Sequence, residues 1–120
     1  MSKVVQAVNA MISNPSLITN VMRNGKEFFF LYKGKYKWSI SRNDKGEHYL
    51  FFYPGEEELQ HLAHYENEEW EGTPMVTYSD EDIGTKEAAA SFSELYTLIK
   101  ERVYGVNEVL DDIISDMDEL

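Results

Sequence analysis

Apolar residues near the start of the chain recur at intervals of three and four, the spacing of one face of an α-helix. They are Val4, Val5, Val8, Met11 and Ile12. The segment "SNPSL" interrupts this pattern. Since proline suits a first helical turn and glycine a helix end, Pro15 and Gly25 predict a short second helix over about Ser16 to Arg23.

The pattern then changes to runs of aromatic and β-branched residues in "KEFFFLYKGKYKWSISRNDKGEHYLFFYPG". Two turn signatures divide it into three antiparallel strands. A two-residue turn at Lys33-Gly34 would pair Leu31 with Tyr36 and Phe29 with Trp38. In this register one face carries Phe29, Leu31, Tyr36, Trp38 and Ile40, and the other carries Phe28, Phe30, Tyr32, Lys35, Lys37 and Ser39.

The second turn, Asp44-Lys45-Gly46, fits a three-residue loop closed by a left-handed glycine. Leu50 and Phe52 then join Trp38 on the core face. A four-residue loop would instead bring Tyr49, Phe51 and Tyr53 there, because a slip of one residue reverses every side chain. We favour the first register because tyrosine tolerates the wetter face.

After Pro54-Gly55, a short helix is predicted through Leu59, Leu62 and Ala63, and "TPMVTYS" is predicted to form a fourth strand. Thr85 is placed to cap a long helix over about 86–104, which Gly105 ends. Its apolar stripe is Ala88, Ala89, Phe92, Leu95, Tyr96, Ile99 and Val103. A last helix starts near Asn107, with an apolar side of Val109, Leu110, Ile113, Ile114 and Met117.

This order of elements predicts one α+β domain over residues 1–120. Its antiparallel sheet has three to four strands, with N-terminal and C-terminal helices packed on it. A chain of 120 residues is long enough to build such a core without disulfides. It contains no cysteine, which fits a reducing compartment.

Charge is divided unevenly along the chain. Residues 1–53 carry eight bases and three acids, a net +5, whereas residues 54–120 carry three bases and nineteen acids, a net −16. The acidic part repels phosphate backbones and anionic lipid. We therefore expect no nucleic-acid or membrane partner, and the absence of a signal-peptide pattern favours the cytoplasm.

No motif for catalysis or cofactor binding is visible. The chain has no cysteine nucleophile and no GxSxG motif. The glycine-rich phosphate-binding motifs GxGxxG and GxxxxGK are also absent from the sequence. Glu57, His61 and His64 have the spacing of metal ligands on one helix face. A solvated helix face with ordinary histidines is the favoured interpretation, because the sequence does not clearly identify the third protein ligand that a catalytic zinc needs. No metal or other cofactor is therefore predicted.

One predicted face of the sheet has the composition of a platform for stacking nucleic-acid bases. It carries Phe28, Phe30 and Tyr32 beside Lys35 and Lys37. Lysine side chains that extend over a packed aromatic face produce the same pattern. The net negative charge favours the packed face.

Trp70 stands in the stretch "HYENEEWEG", where four glutamates and no base surround it. A buried Trp70 would anchor this long loop onto the sheet. An exposed Trp70 would be an aromatic anchor with a polar rim, the pattern of a binding hot spot. The two interpretations are compatible if the Trp70 ring packs on the sheet while the glutamates face solvent.

The segment "VTYSDEDIGTKEAAASFSELYTLIKE" resembles the C-terminal part of the SUKH immunity-protein superfamily. In that family a strand and a loop lead into a helix that opens with an "SFxEF"-like motif. Ser91, Phe92, Ser93, Glu94 and Leu95 take those places here. The resemblance covers the last third of the chain and implies an α+β module that neutralises a toxin by binding it, or a regulatory interaction domain.

These observations predict a non-enzymatic protein-binding module, an acidic inhibitor or immunity protein that captures a basic partner. The predicted contact residues are Glu66, Glu68, Glu69, Trp70, Glu71, Asp80, Glu81 and Asp82. The alternative is a small-ligand-binding domain that uses the aromatic sheet face as a pocket, reached by Trp38, Tyr49 or Tyr53. Self-association through the last helix is left open, because its apolar stripe must cover either its own sheet or another copy.

Overall fold

A computed structural model describes residues 2–119 and shows an α+β fold around one antiparallel sheet. The sheet has five strands rather than three to four, and each pairs with its neighbour in sequence, in the order β1-β2-β3-β4-β5. The strands are β1 (Ile18–Asn24), β2 (Glu27–Tyr32), β3 (Tyr36–Arg42), β4 (His48–Tyr53) and β5 (Val76–Ser79).

The additional strand is β1, so the prediction of a helix from Ser16 to Arg23 is wrong. Helical structure in this segment is limited to a 3-10 turn at Pro15–Leu17. Asn24 then pairs with Glu27 across a turn in which Gly25 has a φ of +61°. The dipeptide Asn-Gly is a strong hairpin signal, and here it joins two strands instead of ending a helix.

The predicted register of the next hairpin is also wrong by one residue. Lys35 belongs to the loop together with Lys33 and Gly34, so Tyr32 pairs with Tyr36 and Phe30 with Trp38. Phe28, Phe30, Trp38 and Ile40 therefore share one face. Phe29 and Leu31 lie on the other, opposite Ser39 and Lys37.

The preferred register of the β3–β4 hairpin is confirmed. Trp38 pairs with Phe52 and Ile40 pairs with Leu50. Gly46 closes the turn with a φ of +83°.

Two long helices cover the first face of the sheet. They are α1 (Lys3–Ser13) and α4 (Lys86–Tyr104), which pack on each other and on the strands. The predicted bounds and cap of α4 are confirmed, since the Thr85 hydroxyl accepts a hydrogen bond from the Ala88 N–H. The fully buried side chains of this main core include Val8, Phe30, Ile40, Leu50, Phe92, Leu95 and Ile99.

A smaller core covers the opposite face. It contains α2 (Leu59–Leu62) and a 3-10 turn at Asn67–Trp70. Phe29 and Tyr53 from the sheet meet Leu59, Leu62 and Ala63 there. Because both faces are covered, the strands are apolar on both sides.

The last helix, α5 (Val106–Ser115), does not pack on the sheet. Gly105 adopts a left-handed conformation between α4 and α5. The predicted apolar side of α5 faces solvent, with Val109, Leu110, Ile113, Ile114 and Met117 between 49% and 71% exposed. Among residues 2–119, no helix combines the length and the apolar character that crossing a bilayer requires.

Candidate functional site

Trp70 lies on the smaller core with one face of its ring against aromatic side chains. Its ring is stacked on Phe29 at a centroid distance of 6.1 Å and an angle of 9°. Tyr53 lies 5.7 Å away, and Tyr65 meets the ring edge at 5.2 Å. Such aromatic pairs contribute about 0.5–1.5 kcal/mol each beyond area burial, so the tryptophan holds its loop on the sheet.

Hydrogen bonds fix the same loop at both ends. The Asn24 side chain donates to the Tyr65 carbonyl oxygen at 3.2 Å, which ties the loop to the β1–β2 turn. The Thr73 hydroxyl donates to the Glu69 carbonyl oxygen at 3.1 Å. The ring of Trp70 and the Asn24 hydrogen bond therefore anchor the loop to the sheet, and the Thr73 hydrogen bond closes the 3-10 turn locally.

Four glutamates project from this anchored turn, and we call them the acidic rim: Glu66, Glu68, Glu69 and Glu71. All four are exposed. Between residues 2 and 119 the ion pairs are Lys26–Asp44 and His48–Asp80, so no base neutralises the rim. Trp70 lies at the centre of the acidic rim and is half-buried. The packed tryptophan ring and the exposed glutamates are therefore both present.

A cavity of about 720 Å³ opens beside the rim. Its walls contain Tyr65, Trp70 and three rim glutamates, together with Asn24, Asn67 and Glu27. Among the residues that the structure describes, no Lys or Arg lines it. Carboxylates around an aromatic ring are complementary to a cationic side chain, which gains both charge pairing and a cation–π contact.

Beneath this cavity, Glu27 belongs to a hydrogen-bonded group of three polar side chains. The hydroxyls of Ser39 and Tyr53 both donate to its carboxylate, Tyr53 at 3.0 Å. The two hydroxyl oxygens lie 2.7 Å apart. Burial, reinforced by the negative charge of Glu27, raises the pKa of Tyr53 well above its ordinary value. Tyr53 therefore stays protonated and keeps the Glu27 carboxylate in place.

The other three predicted contact residues lie in α3 (Asp80–Ile83), on the helix-covered side of the sheet. Glu81 and Asp82 are exposed. The prediction that Asp80 belongs to an exposed contact surface is wrong, because it is only 8% exposed. Its carboxylate accepts hydrogen bonds from the backbone N–H and the Nδ1 of His48, at 3.0 and 2.9 Å.

The structure does not assemble Glu57, His61 and His64 into a metal site. Glu57 precedes α2 and so is not on its helical face. The Nδ1 of His64 lies 2.6 Å from the Gln60 carbonyl oxygen. Within the described chain, no group of three His, Cys, Asp or Glu residues could hold a metal ion.

The aromatic faces of the sheet are largely covered. Phe28 and Phe30 are buried beneath the helices, so they cannot form a platform for nucleic-acid bases. An apolar cavity of about 330 Å³ remains between α1 and the strands, with Trp38 among its walls. The Nε1 of Trp38 is buried and has no hydrogen-bond partner in the described part of the chain. Small-ligand binding at this cavity stays a prediction.

Sequence reasoning missed Asn24, Glu27 and Tyr65 as parts of the Trp70 site. Asn24 and Glu27 flank a turn that was assigned to a helix end, so their approach to residues 65–70 could not be foreseen. Tyr65 stands within the acidic stretch, five residues before Trp70. An aromatic residue in so polar a segment was the available signal.

Comparison with known proteins identifies no relative, so the fold and the candidate site are the basis for the proposed function. No family model matches the chain, and neither a curated protein nor a solved structure matches it significantly.

Proposed function

We propose that this protein is a non-enzymatic binding module that captures a basic protein partner in the cytoplasm through Trp70 and the acidic rim. The observation that carries the proposal is the anchored, unneutralised rim beside a cavity lined by carboxylates and aromatic rings. A partner lysine or arginine would enter this cavity, with Glu27 at its base. The net charge of −11 would accelerate encounter with a basic surface.

An inhibitor or immunity protein fits this mode of binding, as the resemblance to the SUKH superfamily implies. In the structure, however, three residues of the "SFSEL" motif are buried and serve packing, whereas Ser93 and Glu94 are exposed. Phe92 and Leu95 are fully buried, and the Ser91 hydroxyl donates to Asn9 at 2.6 Å. The motif therefore supports the fold, and membership of that superfamily stays a prediction.

Reversing three rim charges, with Glu66, Glu68 and Glu69 each changed to lysine, is expected to abolish capture of a basic partner. Loss of electrostatic steering alone slows association by about 10- to 1000-fold at low salt. Immobilised wild-type and variant proteins would be exposed to a lysate of the source cells and bound proteins identified by mass spectrometry. Association rates of the captured protein would then be measured at increasing salt.

A matched control carries the same change of charge on the opposite side of the sheet, with Glu81, Asp82 and Glu94 each changed to lysine. All three side chains are exposed. We expect this control variant to retain the partner. Its association rate should fall only by the contribution of long-range electrostatic attraction. If both variants lost the partner equally, or if neither did, the rim would not be the binding surface.

We also infer that a second copy of the chain covers the apolar side of α5. A helix of ten residues is marginal in water unless one face is packed. Val106, Leu110 and Ile113 of α5 follow the alternating intervals of four and three that pair helices in coiled coils, and Met117, in the 3-10 turn that continues α5, takes the next place. The remaining sides carry Glu108, Asp111, Asp112 and Asp116, so two such helices attract through apolar contacts and repel through charge.

Sedimentation equilibrium is therefore expected to show a dimer that strengthens as sodium chloride screens the acidic side chains. Changing both Ile113 and Ile114 to glutamate should give a monomer. Changing Asp111 to asparagine should not weaken the dimer. A wild-type chain that stays monomeric at millimolar concentration in high salt would exclude this pairing.

A further inference from the structure

A second polar site lies where the β1–β2 and β3–β4 turns approach the C-terminal half of α4. Two adjoining cavities of about 500 and 470 Å³ share Arg42, Tyr96, Lys100 and Tyr104 as walls. We call the two together the basic groove. It is formed by residues other than those of the acidic rim, and its chemistry is opposite.

Cations are concentrated in the basic groove. Arg23, Lys26, Arg42 and Lys100 line it, against two acids, Asp44 and Glu101. Lys26 pairs with Asp44 at 3.1 Å, whereas the other three cations have no carboxylate partner among residues 2–117, whose side chains the structure describes. In a chain with twice as many acids as bases, three unpaired cations facing one groove indicate a site for an anion.

Tyrosine rings, rather than carboxylates, position two of these cations. The guanidinium of Arg23 lies 5.8 Å from the centre of the Tyr104 ring and donates to its hydroxyl. The ammonium of Lys100 lies 6.0 Å from the centre of the Tyr96 ring. Their positive charge is therefore held in place without being neutralised.

His48 supplies the buried part of the groove. It is 6% exposed, lines the larger cavity, and meets the ring of Tyr96 edge-on at 5.5 Å. Because the Asp80 carboxylate can only accept, Nδ1 carries the proton of their shared hydrogen bond. Nε2 has no hydrogen-bond partner among residues 2–117, whose side chains the structure describes, so with the proton on Nδ1 it presents an acceptor to a ligand. Asp80 is thus a positioning residue for this imidazole.

These donors suit a phosphate group better than a carboxylate. A phosphate monoester carries up to two negative charges and three acceptor oxygens, and arginine and lysine are its usual partners. Ser93 and Thr97, one helical turn apart on α4, add two hydroxyls to the same wall. Tyr104, which is 53% exposed, offers a flat ring beside them.

We propose that the basic groove binds a small aromatic phosphate, with the phosphate between Arg42 and Lys100, a protonated phosphate oxygen donating to the Nε2 of His48, and the aromatic ring against Tyr104. A polyanion such as a nucleic acid would extend beyond the groove into the negative field of the remaining chain. A ligand with a single phosphate fits within it. This proposal is independent of the proposed function of the acidic rim.

Isothermal titration calorimetry of the full chain with adenosine monophosphate, adenosine and inorganic phosphate tests the proposal. We expect the monophosphate to bind at least ~10-fold more tightly than either fragment, since charge-assisted hydrogen bonds and ring stacking both contribute. The imidazole resonances of His48 should shift during the titration. A single-stranded oligonucleotide should not compete, and competition would overturn the restriction to small ligands.

The matched variants are Arg42→Gln and Lys45→Gln. Both remove one exposed positive charge near the same turn, but only Arg42 lines the groove. Arg42→Gln should weaken binding of the monophosphate by about 10-fold, and Lys45→Gln by less than about twofold. Equal effects of the two variants, or no binding of the monophosphate to folded protein, would overturn the proposal.

Discussion

Replacing Phe92 with alanine is expected to lower the free energy of unfolding by about 3–5 kcal/mol. Phe92 is fully buried on α4, in the main core that α1, α4 and the sheet enclose. The substitution removes a large apolar side chain and leaves a cavity that the surrounding strands cannot fill. Since small domains are stable by roughly 5–15 kcal/mol, this single change removes a large share of the total.

Urea denaturation followed by circular dichroism measures this loss. Glu94→Ala is the matched control, because it truncates an exposed side chain two residues along the same helix. We expect the control to change stability by no more than about 0.5 kcal/mol. Equal midpoints for the two variants would show that Phe92 does not lie in the core.

Replacing Asp80 with alanine is expected to lower the free energy of unfolding by about 1–3 kcal/mol for each buried donor of His48 that loses its acceptor. Two donors of His48 then lose their acceptor, the backbone N–H and Nδ1. Neither can reach water, because His48 itself is buried. Asp80→Asn should cost less, since its amide oxygen can still accept one of the two hydrogen bonds.

The control for this prediction is Asp82→Ala, in the same short helix. The Asp82 side chain is exposed, and only its backbone N–H is bonded, to the Ser79 hydroxyl. We expect the free energy of unfolding to fall by less than about 1 kcal/mol, because only the interaction of the carboxylate with the helix dipole is lost. Nuclear magnetic resonance of the His48 ring should show a changed environment in both Asp80 variants. An unchanged His48 spectrum together with wild-type stability would contradict the pairing.

The helical part of the fold was predictable because helix signals are local. Thr85 and Gly105 mark the ends of α4, and the intervals between Ala88, Phe92, Leu95 and Ile99 identify its buried side. These signals depend on residues three and four apart. Tertiary structure was not needed to interpret them.

The strand register was harder to predict because the sheet is covered on both faces. A half-exposed strand alternates apolar and polar residues, and the alternation fixes the register. β2 reads "EFFFLY", so either face could have been the core. The loop at Lys33-Gly34-Lys35 decides between them, and "KGK" fits two or three residues equally well.

The candidate site was partly predictable for a related reason. The glutamates around Trp70 could be recognised as a group because they are contiguous in sequence. Asp80 stands in an equally acidic stretch, but its carboxylate turns toward His48, 32 residues earlier in the chain. The composition of a segment gives the number of its acidic residues, but it does not show which side chains point to solvent and which point into the core.

The simple meander order of the sheet has a consequence for how quickly the chain can fold. Each strand pairs with the one before it, so the first four strands close by turns of a few residues, and only β5 is joined by a longer loop. Short loops lose little entropy on closure, and a low contact order accompanies fast folding. The long-range step is the docking of α1 on α4, where Asn9 meets Ser91 across 82 residues. We therefore expect hairpins to form early and α1 to dock on α4 in the slower, final event.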